Sequence, residues 1–210
     1  MAKSKASKKN FTIITFGAGM VGKTSVCSNA FAQMMDDQQK AMFNQSVATL
    51  VNASTFPWKS VKSNVTDKYY EVDIFDSAGQ EDFANFRVSN YEKSDLVLYV
   101  NDISVDVDME LVNGWLDELQ LKELVNKEVI VLLNKFDICP GGEESIPVKD
   151  LKHVIESRLG SRMVGIMTYS ALTGHNRDKL IECIDGCLDR FNSSKSSHQN
   201  SRKKGKKSCF

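Results

Sequence analysis

Apolar residues along this chain fall into short, bounded runs. FTIITFG (11–17), YYEVDIF (69–75), LVLYVN (96–101), VIVLLN (129–134) and VGIMTY (164–169) are rich in β-branched and aromatic residues. Most are continuous rather than alternating, the pattern of strands covered on both faces and hence of a largely parallel sheet. Elsewhere the period changes. Val112, Trp115, Leu116 and Leu119, and later Leu180, Ile184, Cys187, Leu188 and Phe191, recur at three- and four-residue spacing and predict helices with one apolar stripe. SVCSNAFAQMM, from Ser25, is also compatible with a helix. WKSVKSNVT (58–66), followed by Asp67-Lys68 and YYEVDIF, reads as a hairpin that adds one antiparallel edge strand. The sum is a doubly wound α/β domain over residues 11–191, with a mostly parallel six-stranded sheet and no internal repeat. Such sheets bind ligands beyond the carboxyl ends of their strands, so chemistry is sought there.

The first of those ends is FGAGMVGKTS, residues 16–25. Gly17-Ala18-Gly19-Met20-Val21-Gly22-Lys23-Thr24 spells GxxxxGK[ST] between a predicted strand and a predicted helix, the context this phosphate-binding loop demands. Glycines let successive N–H groups turn toward a phosphate chain, and the helix start adds positive potential. Lys23 is then placed for the outer phosphates, the Thr24 hydroxyl for Mg²⁺, and Ser25 at the opening of the helix. With Gly near 7% of ordinary usage, the four fixed positions would match by chance in about one chain in a hundred of this length.

Three further strand ends narrow the nucleotide. Asp76-Ser77-Ala78-Gly79-Gln80-Glu81 follows YYEVDIF, so Asp76 can hold a metal through water, Gly79 can offer its N–H to a terminal phosphate, and Gln80 can orient a water. Asn134-Lys135-Phe136-Asp137 closes VIVLL. A carboxylate there can accept from a guanine's N1–H and exocyclic amine together, a pair adenine lacks. Ser170-Ala171-Leu172-Thr173-Gly174 follows VGIMTY, where a backbone N–H could meet the guanine oxygen. Alone, the Asp-Ser-Ala-Gly run reads as an ordinary turn and Asn-Lys-Phe-Asp as a helix cap; their order along one sheet edge changes their meaning.

Composition changes the picture in two ways. At 210 residues, 41% hydrophobic and 26% charged, the chain is long enough to bury one sizeable core. No apolar run approaches the 18 or so residues of a membrane span, and MAKSKASKK has no apolar stretch behind its lysines, so a cytoplasmic protein is expected. Cys27, Cys139, Cys183, Cys187 and Cys209 show no CxxC or zinc-ligand spacing and read as reduced thiols. The formal net charge is zero, yet residues 1–10 and 192–210 carry ten basic residues and no acid, which leaves the body at −10. An acidic body excludes a broad basic face for nucleic acid. Both basic ends, with almost nothing to bury, are expected to be disordered.

Taken together, GAGMVGKT, DSAGQE, NKFD and SALTG, in this order and each after a strand, resemble the Ras superfamily of small GTPases over residues 11–191. The resemblance implies a P-loop NTPase fold and a switch that binds GTP or GDP with Mg²⁺ and hydrolyses GTP, with Gln80 orienting the attacking water. It implies phosphate contacts from Gly17 to Ser25 and from Gly79, base contacts from Asn134, Lys135, Asp137, Ser170, Ala171 and Leu172, and Mg²⁺ ligation through Thr24, Asp76 and a switch threonine. It also implies an exchange factor, a GTPase-activating protein and effectors. The chain departs from the family in places. The switch threonine is assigned to Thr55, 21 residues before Asp76, with Thr49 as rival and Phe43 as the aromatic over the base. Leu172 stands where the family has lysine, and Arg87 reads as a solvated residue rather than a γ-phosphate ligand. Cys209 is second from the end, so prenylation is not expected; the basic tail, with Cys209 as an acylation candidate, predicts contact with an anionic membrane surface. Two alternatives stand beside the switch: a P-loop enzyme using ATP, disfavoured by Asn134 and Asp137, and a nucleotide-binding scaffold without turnover, disfavoured by Gln80.

Overall fold

In a computed structural model of the protein, the structure describes residues 11–31, 54–62, 69–76, 90–143 and 145–204. The apolar runs become strands: β1 (Phe11–Phe16), β3 (Tyr69–Asp76), β4 (Leu96–Asp102), β5 (Glu128–Asn134) and β6 (Met163–Thr168). With β2 (Ser54–Lys62) they form one six-stranded sheet in the order β2-β3-β1-β4-β5-β6. All neighbours pair in parallel except β2 with β3, which is antiparallel. The expected doubly wound sheet with one antiparallel edge is present.

The continuous apolar runs are explained by what each side of the sheet meets. Alternate residues of β4, Leu96, Leu98 and Val100, pack with Ile130 and Leu132 of β5 against α1 (Lys23–Phe31) and α4 (Arg177–Lys204). Val97 and Tyr99, with Val129, Val131 and Leu133, face the opposite way onto α2 (Met109–Glu118) and α3 (Ile146–Leu159). Strands buried on both faces have no solvent side to mark with polar residues. On the α2 face, Phe16 meets Trp115 edge-on at 4.9 Å and Tyr99 at 5.6 Å, centroid to centroid. Phe16 immediately precedes Gly17, so this aromatic contact anchors the strand end from which the glycine loop departs.

Three elements differ from expectation. The edge strand was expected at 58–66 and lies at Ser54–Lys62, with a register irregularity between Trp58 and Val61. Pro57 disguises it: proline cannot donate to a ladder, and an edge strand is where that loss is tolerated. Helix α3 has no counterpart in the periodicity reading. Its apolar positions, Val148, Leu151, Ile155 and Leu159, recur at helical spacing, but Pro147 resembles a breaker, whereas in the first turn of a helix it is a start signal. The third difference is at the C-terminus, where helix α4 continues to Lys204 through a segment expected to be disordered. No Pro or Gly lies between Gly186 and Gly205, and helical hydrogen bonds close locally without needing a core. Asn192 and Ser193 add side-chain bonds to the carbonyls of Leu188 and Asp189.

Candidate functional site

The glycine loop lies between β1 and α1. Gly17 has φ of +128°, and a Cβ there would stand 2.3 Å from the carbonyl oxygen of Val100. Only a residue without a side chain lets β1 leave the sheet beside β4. Gly22 has φ of +95°, and its absent Cβ leaves room for the Asn134 amide, which would lie 2.5 Å away. At the far end of the loop, Val26 N–H donates to Gly22 O at 2.8 Å, closing the first turn of α1. Lys23 is buried, and its Nζ donates to the carbonyls of Gly17 at 3.0 Å and Ala18 at 2.5 Å. The loop thus wraps its own cation, and Met20 projects almost fully into solvent.

Asp76 comes to this loop from the end of β3. Its Oδ2 accepts from the Thr24 hydroxyl, and its Oδ1 accepts from the Thr15 hydroxyl at 2.9 Å. Burial pushes the Asp76 carboxyl above the ordinary carboxylate range, against the two hydroxyl bonds and the Lys23 charge that favour ionisation. A hydroxyl and a carboxylate meeting at one point form the hard oxygen donor pair that suits Mg²⁺. Thr24 and Asp76 therefore fit the metal expected of them. Nearby Cys27 is fully buried, and burial drives its thiol well up, so it is core rather than nucleophile.

The base-facing candidates meet across a second junction. Asn134, at the end of β5, is buried and donates from Nδ2 to Val21 O at 2.9 Å while its Oδ1 accepts from Ala171 N–H at 3.2 Å. One side chain thereby ties the glycine loop to the loop after β6. Asp137 follows, exposed, on the 3₁₀ turn Phe136–Ile138, and its Oδ1 accepts from the buried Ser170 hydroxyl at 2.5 Å. Lys135 adopts the left-handed conformation, φ 65°, and its Nζ pairs with Asp102 Oδ2 at 2.6 Å. Asp102 also accepts from Ser104 N–H at 2.9 Å and from its hydroxyl at 2.6 Å. A cleft of about 540 Å³ opens between these groups, lined among others by Gly22, Ser25, Asn134, Lys135, Asp137 and Leu172. Leu172, at its mouth, is 83% exposed.

The structure brings Gly17 to Ser25, Asp76, Asn134, Lys135, Asp137 and Ser170 to Leu172 to one edge of the sheet. Thr55 is the second residue of β2, opposite Phe75 and one step from the Ser54–Asp76 pair, in a strand rather than in a loop before it. Gly79 and Gln80, with Phe43, Thr49, Arg87 and Cys209, lie outside the described residues. Sequence reasoning missed Thr15, Asp102 and Asn29, whose Oδ1 accepts from the Tyr169 hydroxyl at 2.7 Å beside the cleft. Thr15 is an ordinary strand threonine in sequence, and Asn29 and Asp102 stand outside any motif, so no local signal marks them.

Residues 12–137 match the family described as "Ras of Complex, Roc, domain of DAPkinase". The chain is 29% identical over 179 residues to Ras-related protein RABG3c of Arabidopsis thaliana, covering 82% of this chain and 79% of that protein. It is 28% identical, over the same length and with 78% of the relative covered, to Ras-related protein Rab7 of Gossypium hirsutum. The GTP-binding protein YPT52 of Saccharomyces cerevisiae is 26% identical over 130 residues, 61% of this chain and 54% of its own length. With a glycine loop, a threonine–aspartate pair and an asparagine-held junction at one edge of a mostly parallel sheet, and with more than half its length matching the Roc family, this chain belongs to the Roc/Ras-like GTPases of the Ras superfamily, with relatives in the Rab branch.

Proposed function

We propose that the protein is a guanine-nucleotide-dependent switch that binds GTP and GDP with Mg²⁺ and hydrolyses GTP to GDP and phosphate. The observation that carries this reading is the Asn134 junction: one buried amide holds the phosphate loop and the loop after β6 around a cleft that also presents the Asp137 carboxylate. A phosphate chain and a base that donates two hydrogen bonds would be met by one rigid unit. The Gly17–Ser25 backbone and Lys23 would bind the phosphates, and Gly79 would donate its N–H to the last of them. Asp137 would accept from guanine, Ala171 N–H would face its oxygen, and the stems of Lys135 and Leu172 would cover its faces.

Thr24 and Asp76 would hold Mg²⁺, with Thr55 as the residue that closes over it when GTP is bound; the cation supplies charge neutralisation between the outer phosphates. Gln80 orients the attacking water. Intrinsic turnover is then slow, on the order of 10⁻⁴ to 10⁻² per second, until an activating protein accelerates it. The names of the relatives support a role in membrane trafficking or signalling, carried out through an exchange factor, an activating protein and effectors. Contact with the cytoplasmic face of a membrane would come from the basic residues of 192–210. Binding to anionic vesicles that weakens as salt rises, over a screening length of about 8 Å at physiological strength, is the expected outcome.

Equilibrium competition tests the base assignment. GDP should bind about a hundredfold or more tightly than ADP, because ADP leaves the Asp137 carboxylate without donors, and Asp137→Asn should shift preference toward xanthine nucleotides. Equal affinity for ADP would refute it. Single-turnover hydrolysis of preloaded GTP tests catalysis: Gln80→Leu should keep GTP affinity and lose hydrolysis. A wild-type rate no different from Gln80→Leu, with and without an activating protein, would make the chain a nucleotide-binding scaffold.

A further inference from the structure

Guanine recognition as proposed above draws on two loops, Asp137 after β5 and Ser170–Leu172 after β6, and it works only if their spacing is held. Two hydrogen bonds hold part of it: Phe136 N–H donates to Tyr169 O at 3.0 Å, and the Ser170 hydroxyl donates to Asp137. Asp137 itself is nevertheless exposed, on a three-residue turn of which Phe136 is half-buried against the core beneath α2 and α3. The residue beside it, Phe136, lies flat against His175, with ring centroids 4.7 Å apart and planes 23° apart. His175 is anchored in turn. Its Nε2 is 3.0 Å from Asn176 Nδ2 and 3.3 Å from Thr168 Oγ1, and Asn176 Nδ2 also donates to Thr168 O at 2.9 Å. Its carbonyl accepts from Ser170 N–H at 3.4 Å. A continuous path of contacts therefore runs from the end of β6, through two stacked rings, to the neighbour of Asp137. Neither ring lines the cleft, so any effect on a bound base must pass through Lys135 and Asp137, the neighbours of Phe136, or through the loop after β6.

We propose that the Phe136–His175 stack is a positioning device that sets the spacing of Asp137 from the loop after β6, and with it the discrimination between guanine and bases lacking the exocyclic amine. His175 and Phe136 are positioning residues: they prepay the ordering of the turn that a bound base would otherwise have to impose. This rests on the guanine reading. An aromatic pair of this geometry is worth enough to change a binding equilibrium roughly three- to tenfold.

The experiment is equilibrium competition between GDP and inosine diphosphate, which lacks the 2-amino group, on the full chain with Mg²⁺, with thermal melting measured in parallel. His175→Ala and Phe136→Leu should each compress the GDP preference about three- to tenfold, and so should His175→Gln, which keeps a polar group for Thr168 and Asn176 but loses the ring. His175 is exposed, so His175→Ala should melt close to the wild type. An unchanged GDP preference in His175→Ala, whatever its melting temperature, would overturn the proposal. So would a wild-type preference in His175→Gln. Should the wild type itself fail to prefer GDP over both inosine diphosphate and ADP, the guanine reading falls and the stack proposal with it; that result is read before any variant is made.

Discussion

At the scale of single residues, two glycines of one motif do different work. A Cβ on Gly17 would collide with a backbone carbonyl of the central sheet, which cannot move aside, whereas one on Gly22 meets the end of the Asn134 side chain. Gly17→Ala should therefore destabilise the nucleotide-free fold by about 1–3 kcal/mol or more in urea titration. Gly22→Ala should act chiefly on the site, displacing Asn134 from Val21 and raising the nucleotide dissociation rate. The ion pair of Lys135 with Asp102 sets a pH dependence. Burial opposes ionisation of Asp102, but the bonds from Lys135 and Ser104 outweigh it and hold the carboxyl below its ordinary value. A carboxyl lowered by folding stabilises the fold above its unfolded value, and that contribution is lost as pH falls through the lowered one. Asp102→Asn should thus cost about 1 kcal/mol at pH 7 and almost nothing in strong acid, as measured by urea titration at the two extremes. The glycines and Asn134 were legible in the sequence because motif residues are adjacent along the chain. Asp102 was not, because its partner, Lys135, comes from the residue that follows the next strand.

At the scale of elements, each helix is held by a different balance of end and face. The start of α2 is fixed by Asp108, whose Oδ1 accepts from Glu110 N–H and Leu111 N–H, each at 3.0 Å. Asp108→Ala should cost about 1 kcal/mol by losing that cap. Its face matters more. Trp115 is 6% exposed against Phe16, so Trp115→Ala should cost about 3–5 kcal/mol in urea titration, a large part of a domain's net stability. Because Phe16 leads into the glycine loop, that variant should also weaken nucleotide binding. The spacing of Val112, Trp115 and Leu116 announced α2 on its own, since three apolar positions within five residues fill one stripe. The stripe of α3 has the same helical spacing, but Pro147 at its opening resembles a breaker until the structure places it in the first turn.

At the scale of the whole molecule, the sheet is a partition between two apolar layers, and the last helix closes one of them. Phe191 on α4 meets Phe11 at the start of β1 edge-on, at 5.0 Å and 75°, and Arg190 pairs with Glu128 at the start of β5 at 2.7 and 3.1 Å. Beyond these residues α4 makes local bonds at Asn192 and Ser193. Ending the chain after Ser193 should therefore leave the melting temperature within a degree or two of the full chain. Phe191→Ala, which exposes Phe11, should cost about 2 kcal/mol and lower it by roughly 4–8 °C. The amino-acid sequence by itself did not determine the position of the edge strand β2, but it did determine the five mutually parallel strands and the phosphate loop. Each of these follows from local periodicity or from a backbone requirement met within a few consecutive residues. Only the tertiary structure decided that Thr15 and Thr24 share Asp76, that Asn134 joins the glycine loop to Ala171, that Lys135 turns to Asp102, and that Phe136 rests on His175. Those partners are set by the register of parallel strands whose connections are whole helices and long loops, and no local pattern of residues encodes that register.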